Sequence, residues 1–103
     1  MVVNLEAILR SQIRWSSETF GPGPRTKSIT NHIRKELAEI EAAPTDLEEW
    51  IDVVLLGLDG AWRTGATPAE IVQTLLAKMM TNRSRRWPDW RTLRDGEPTE
   101  HLR

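Results

Sequence analysis

The sequence predicts an all-α fold, namely a bundle of four to five helices that is completed by oligomerisation. Apolar residues recur at helical spacing in four segments, breaks containing proline or glycine separate these segments, and no segment alternates as a strand does. The chain has 103 residues, 39% of them hydrophobic, which suffices for one modest core. We therefore expect a single domain over residues 1–103, with a polar tail at about 91–103.

The first two helices are predicted on either side of a loop. Apolar residues recur every three to four positions over residues 5–17, and Asn4 is suited to cap that helix. Residues 20–25 contain two prolines and two glycines, which interrupt a helix. A second helix is predicted from near Ser28 until Pro44 stops it.

The third and fourth helices each follow a capping sequence. A Thr-Asp-Leu-Glu sequence at residues 45–48 predicts that the third helix begins at Asp46. This helix is apolar nearly all round until Gly65, as expected of a helix buried on most sides. A Thr-Pro-Ala-Glu sequence at residues 67–70 opens a fourth helix, which continues to about Arg85.

Composition and charge exclude several classes of protein. The formal net charge of -1 lacks the basic excess of a nucleic-acid-binding protein. The chain contains no cysteine, so any metal ion must be bound by oxygen or imidazole ligands. The longest strongly apolar run, residues 53–58, is far shorter than a membrane span, and Glu6 interrupts the stretch that a signal peptide needs. We expect a cytoplasmic protein without a nucleic-acid or membrane partner.

Acidic residues on the second and third helices suggest a metal site. Glu49, Asp52 and Asp59 lie within about 80° of one another on a third helix that is otherwise mostly apolar. Three carboxylates on such a helix are unfavourable unless a cation compensates their charge. Glu36 and Glu39 form a second pair, so packing the two helices would bring four or five carboxylates together. Such a cluster suits Mg²⁺ or Mn²⁺.

The alternative interpretation of these acidic residues is a solvated face, or ion pairs with Arg34, Lys35 and Arg63. This alternative is stronger for the second helix, because glutamates three positions apart are common on exposed helix surfaces. His32 shares the face of Glu36 and is interpreted as an exposed residue rather than a ligand, although it could orient a carboxylate.

A polar stripe on the predicted fourth helix supplies complementary charge. Lys78, Asn82 and Arg85 lie on one face of that helix. Fixed cations beside carboxylate-bound metal ions are typical of a polyphosphate site. The alternative is a basic stripe that the macrodipole favours near a helix C-terminus.

The acidic pairs and the basic stripe resemble those of the MazG-like all-α nucleoside triphosphate pyrophosphatases. The family signature is a Glu-x-x-Glu pair followed by a Glu-x-x-Asp pair on the next helix, as in residues 32–40 and 49–52. Three further segments resemble the dATP/dGTP pyrophosphohydrolase subfamily, which includes enzymes of phages with 2-aminoadenine genomes; they are residues 19–25, 58–63 and 86–91. Nine residues, 40–48, separate the acidic pairs, fewer than in the general pattern, so a pairing through Glu48 stays open.

The resemblance implies hydrolysis of a purine nucleoside triphosphate, dGTP or dATP or both, between its α and β phosphates. The products are the nucleoside monophosphate and pyrophosphate. In the cytoplasm of a phage-infected host, dGMP from this reaction would supply the synthesis of 2-aminoadenine nucleotides. Glu36, Glu39, Glu49 and Asp52 would bind two or three Mg²⁺ or Mn²⁺ ions and carry catalysis.

The remaining candidate residues surround these metal ligands. Lys78, Asn82 and Arg85 would bind the phosphates. Trp15 and Phe20 would contact the base, while Asp59 would either orient a ligand or accept a hydrogen bond from a guanine edge. These residues complete the predicted nucleotide site.

The apolar third helix, with Trp50 and Trp62, is poorly covered by one chain of this length. We therefore expect a homodimer, or a homotetramer formed as a dimer of dimers. Two competing functions are a non-enzymatic helical interaction module, whose tryptophans form an interface, and a housekeeping pyrophosphatase that removes aberrant nucleotides.

Overall fold

The computed structural model describes residues 3–103 and confirms an all-α fold, with no strand among the residues described. The four α-helices are α1 (Leu5–Phe20), α2 (Thr26–Ala42), α3 (Leu47–Trp62) and α4 (Pro68–Ser84), and a short 3-10 helix spans Trp90–Thr92. No helix in this described part has both the length and the apolar character needed to cross a membrane. The chain divides into two compact units, and the boundary along the sequence falls between Val72 and Gln73.

The first helix is capped as predicted but ends later than predicted. The side chain of Asn4 accepts a hydrogen bond of 3.2 Å from the amide of Ala7. The helix continues to Phe20 and ends at Gly21, whose positive φ of 88° favours glycine. Phe20, predicted in the loop, therefore lies on the last turn of α1. The second helix begins at Thr26, two residues before the predicted start.

Asp46, rather than Thr45, caps the third helix. Its carboxylate accepts a hydrogen bond of 3.1 Å from the amide of Glu48, so the helix begins at Leu47. The capping box predicted for α4 is confirmed, because Thr67 and Glu70 exchange two hydrogen bonds of 3.1 Å between side chains and amides.

In the first unit, α2 packs along α3, and α1 also contacts α3. A short connection at residues 43–46 makes α2 and α3 an antiparallel hairpin. Four apolar side chains form the buried core, namely Leu9, Ile29, Ile40 and Ile71. The prediction that α3 is buried on most sides is wrong for the single chain, because none of its residues, all of them described, is buried. Leu47 is 71% exposed and Val54 is 52% exposed.

In the second unit, the segment after α4 folds against the end of that helix. The indole of Trp87 donates a hydrogen bond of 2.7 Å to the carbonyl of Asn82. The rings of Trp87 and His101 pack edge to face. The amide of Leu102 donates to the carbonyl of Arg86 at 2.7 Å. The predicted polar tail is thus tied to residues at the end of α4.

Candidate metal centre and adjoining pocket

Four carboxylates meet where α2 and α3 pack against each other. Glu36 and Glu39 lie near the end of α2, and Glu49 and Asp52 lie near the start of α3, so the short connection brings the two pairs together. One oxygen from each of the four lies within 4.8 Å of the others. The hairpin assembles this cluster through Glu49 and not through Glu48, which leaves the alternative pairing without support.

Two oxygens of this cluster lack the partners that buried polar atoms normally have. Glu36 is only 5% exposed. One oxygen of Glu36 and one of Glu49 are buried without any hydrogen-bond partner. An unpaired buried carboxylate oxygen is unfavourable unless a proton or a cation compensates it. The donor set, all carboxylate oxygen, therefore fits a hard divalent cation such as Mg²⁺ or Mn²⁺.

The carboxylates of the cluster interact with one another, and these interactions shift the pKa values of Glu36, Glu39 and Glu49. A hydrogen bond with Glu39, then burial, then the charges of Glu39, Glu36 and Asp46 raise the pKa of Glu49 to about 7. A hydrogen bond with Glu39 and burial likewise raise the pKa of Glu36, whereas accepting these hydrogen bonds lowers the pKa of Glu39. The charged form is therefore favoured at Glu39 and disfavoured at Glu36 and Glu49, an imbalance that a bound cation would relieve.

The cations on α2 do not neutralise the cluster by contact. Within residues 3–103, no lysine or arginine forms an ion pair with any of these four carboxylates. Arg34 instead donates to the side chain of Asn31 at 2.7 Å. His32, interpreted from the sequence as an exposed residue, lies 3.1 Å from Glu36 through Nε2, the contact expected of a group that orients a carboxylate.

Asp59 lies outside the acidic cluster, in contrast to the expectation of a continuous line of acids on α3. Its Oδ1 accepts hydrogen bonds from the hydroxyl of Ser16 and, at 2.8 Å, from the indole of Trp62. Its Oδ2 accepts from Nε of Arg63 at 3.1 Å. Burial acts to raise the pKa of Asp59, but these three donors outweigh it and the pKa is lowered. Arg63, not a metal ion, therefore compensates this carboxylate.

Arg63 also holds the loop between α1 and α2. Its guanidinium donates hydrogen bonds of 2.8 Å to the carbonyls of Gly21 and Gly23, and one of 3.2 Å to the hydroxyl of Ser16. The residue is 8% exposed. The sequence suggests Arg63 as a partner for acids and as part of the segment 58–63, but it gives no signal for Ser16. The contacts join residues at least forty positions apart, and no local pattern signals them.

A pocket of about 290 Å³ extends from the acidic cluster between α1, α2 and α3. Glu36 and Asp52 line one end of it, and they also belong to the cluster. The pocket is also lined by the three residues predicted to contact the base, namely Trp15, Phe20 and Asp59. The rings of Trp15 and Phe20 are 5.5 Å apart in an edge-to-face arrangement. The structure thus brings together seven of the predicted site residues in the first unit.

The remaining three predicted residues belong to the second unit. Lys78 and Asn82 are exposed on α4, and Arg85 follows its last residue. Arg85 donates to the side chain of Asn82 at 3.2 Å, so these two residues form one polar group. Their contact with phosphate stays a prediction.

Comparison with known proteins places this chain in a family. A sequence model of the dATP/dGTP pyrophosphohydrolase family matches residues 8–103. The chain belongs to the dATP/dGTP pyrophosphohydrolase family. This membership confirms the resemblance drawn from the acidic pairs and the flanking segments.

A phage protein is also similar to this chain. The Eaa protein of Salmonella phage P22 is 35% identical over 99 residues, which make up 95% of this chain and 30% of the phage protein. The chain therefore spans about a third of the length of that relative. No solved structure matches the chain.

Proposed function

We propose that this chain hydrolyses a purine deoxynucleoside triphosphate, dGTP or dATP, to the monophosphate and pyrophosphate, using two or three Mg²⁺ or Mn²⁺ ions. One observation carries the proposal: a cluster of four carboxylates with two unpartnered buried oxygens opens into a pocket that contains aromatic side chains. Family membership supports the same reaction.

The order of residues along the pocket fits a nucleotide. The acidic end, at Glu36 and Asp52, would face the triphosphate through the metal ions, while the aromatic end, at Trp15 and Phe20, offers surfaces for a base. A triphosphate cannot approach four carboxylates without cations, because like charges repel strongly at such distances. The pocket therefore requires metal ions for substrate binding as well as for hydrolysis.

Each side chain of the cluster has a role that follows from its contacts. The pKa of Glu39 is lowered by hydrogen bonds with Glu36 and Glu49, which favours its charged form as a ligand for a cation. Glu36 and Glu49 each present a buried oxygen with no protein partner, and His32 orients Glu36. When bound, the metal ions would polarise the phosphates and lower the pKa of the attacking water. Lys78, Asn82 and Arg85 are proposed to neutralise and position the phosphates.

We expect the purified protein to release pyrophosphate from dGTP or dATP only when Mg²⁺ or Mn²⁺ is present. In the described pocket His32 pairs with Glu36 rather than with a serine hydroxyl, and hydrolysis is therefore proposed to depend on an activated water. Incubation of each dNTP with metal, followed by chromatographic separation of the products, tests this expectation. Orthophosphate as the primary product would refute the proposed cleavage position, and turnover in a chelator would refute the metal requirement.

The same assay, extended to aberrant nucleotides, distinguishes two biological roles. Release of dGMP in phage-infected cells would supply the synthesis of 2-aminoadenine nucleotides, and similarity to a phage P22 protein supports a phage setting in the host cytoplasm. A housekeeping enzyme would instead turn over aberrant nucleotides faster than dGTP or dATP.

The exposed face of α3 supports a homodimer or a dimer of dimers. Four large apolar residues of this helix have about half or more of their surface exposed, namely Leu47, Trp50, Ile51 and Val54. A stable soluble chain rarely exposes such a contiguous apolar face. Light scattering at micromolar concentration is expected to give twice or four times the mass of one chain, and a stable monomer would contradict this expectation.

A further inference from the structure

Arg25 stands at the end of the pocket opposite to the acidic cluster. Arg25, Ser28, His32 and Glu36 follow one another at intervals of three or four residues and all line the pocket. At 1.5 Å per residue, the eleven positions from Arg25 to Glu36 span roughly 16 Å along α2. A nucleotide whose phosphates lie at Glu36 therefore points its base toward Arg25.

Asp59 has few acceptor sites left for a base in this structure, because protein donors occupy three of them. Each carboxylate oxygen has about two lone-pair sites. Ser16 and Trp62 donate to Oδ1, while Arg63 donates to Oδ2 and the guanidinium of Arg25 lies 3.9 Å from that same atom. A guanine edge could use only the remaining site on Oδ2, beside the guanidinium of Arg25. Asp59 is instead suited to hold Arg25 and Arg63 in place.

Among the described residues, few protein contacts hold the guanidinium of Arg25, so most of its N–H donors are free to bind a ligand. Its guanidinium forms the long pair with Asp59 and lies 4.8 Å from the centre of the Phe20 ring. Its side chain is not used to cap α2. A planar group with five N–H donors therefore lies beside the aromatic end of the pocket, where a base would stack.

We infer that Arg25 is a specificity residue that donates hydrogen bonds to O6 and N7 of a guanine base, so that dGTP is preferred over dATP. This inference rests on the proposed function. Adenine presents an amino donor in place of O6, which an arginine cannot accept. Gln12, which also lines the pocket, both donates and accepts and can serve either purine. Asp59 and Arg63 are positioning residues, because they hold the loop that presents Arg25.

Four substrates separate the possible contacts of Arg25. In the parent, kcat/KM is expected to be high for dGTP and dITP, lower for 7-deaza-dGTP, which lacks N7, and lowest for dATP. Arg25→Ala should reduce the ratio of dGTP to dATP by at least about tenfold, mainly by loss of dGTP turnover. Arg25→Lys, which keeps the charge but not the paired donors, should restore little of this ratio. Arg34→Ala, on the same helix but paired with Asn31, is the matched control and should leave the ratio unchanged.

Binding of the product monophosphates, measured with Mg²⁺ present, gives a second measurement that needs no turnover. Calorimetric titration should show tighter binding of dGMP than of dAMP to the parent and equal binding of both to Arg25→Ala. An equal loss of turnover on all four substrates would assign Arg25 to the phosphates and overturn the inference, as would an unchanged ratio. A parent that hydrolyses no dNTP with Mg²⁺ or Mn²⁺ would refute the proposed function and this inference with it. An active parent with unaltered discrimination refutes the inference alone.

Discussion

Glu49→Gln is expected to raise the melting temperature of the metal-free protein at pH 8 and to remove most of its stabilisation by Mn²⁺. The pKa of Glu49 is raised to about 7 in the folded state, above its ordinary value of 4.5. A group with a raised pKa contributes stability below its unfolded pKa, and that stability is lost as pH rises through about 7. Glutamine keeps the shape and cannot ionise, so the gain should be clear at pH 8 and small at pH 5.

The metal response of the same variant is the larger effect. Mn²⁺ at about a hundred times its Kd stabilises a folded protein by roughly 2.7 kcal/mol, which for a chain of this size raises the melting temperature by roughly 10–20 °C. Glu49→Gln should show much less of this increase, because it has lost a ligand. Glu48→Gln, an exposed neighbour outside the cluster, should respond to Mn²⁺ as the parent does. Equal responses of the parent and Glu49→Gln, measured by thermal denaturation, would remove Glu49 from the metal site.

Glu39→Gln and Asp52→Asn are each expected to reduce kcat/KM for pyrophosphate release by roughly a thousandfold or more. Both residues belong to the four-carboxylate cluster, and the lowered pKa of Glu39 favours its charged form. Loss of a metal ligand removes several kcal/mol of transition-state stabilisation, and each 1.36 kcal/mol corresponds to about a tenfold change in rate. The measurement is the rate of pyrophosphate release at saturating Mg²⁺ and at several substrate concentrations.

Glu41→Gln is the matched control for these two variants. Glu41 lies on α2 but is exposed and outside the cluster, so its replacement should leave the rate within about twofold of the parent. A loss smaller than tenfold in Glu39→Gln or Asp52→Asn would show that the residue is not needed as a ligand, and the catalytic assignment would then fail for that residue.

The metal cluster could be predicted from the sequence because its geometry is local. Pairs of acids three residues apart share a helix face, and a connection of only four residues forces α2 and α3 to pack side by side. The caps at Asn4 and Thr67 could be predicted for the same reason, since each is satisfied within one helical turn. The cap of α3 was assigned one residue too early, because threonine and aspartate are both good capping residues and stand next to each other.

The surroundings of Asp59 could not be predicted, because its partners come from two other parts of the chain. Periodicity placed Asp59 on the side of Glu49 and Asp52, but Ser16 and Arg63 meet it only after α1 has packed against α3. The prediction that α3 is buried was wrong for the single chain. Apolar residues all around a helix indicate that the helix needs to be covered, but they do not indicate whether the same chain or another subunit covers it.

Arg63 holds the loop before α2 by hydrogen bonds to its carbonyl oxygens, and these bonds involve none of the loop's side chains. The shape of residues 21–24 therefore depends on two glycines with positive φ, 88° at Gly21 and 83° at Gly23, and on one arginine that directly follows α3. Side chains at Pro22 and Pro24 are exposed and are not part of these contacts. For protein engineering, this segment is a tolerant position within this fold: its two exposed proline positions can be varied while Arg63 keeps the backbone anchored.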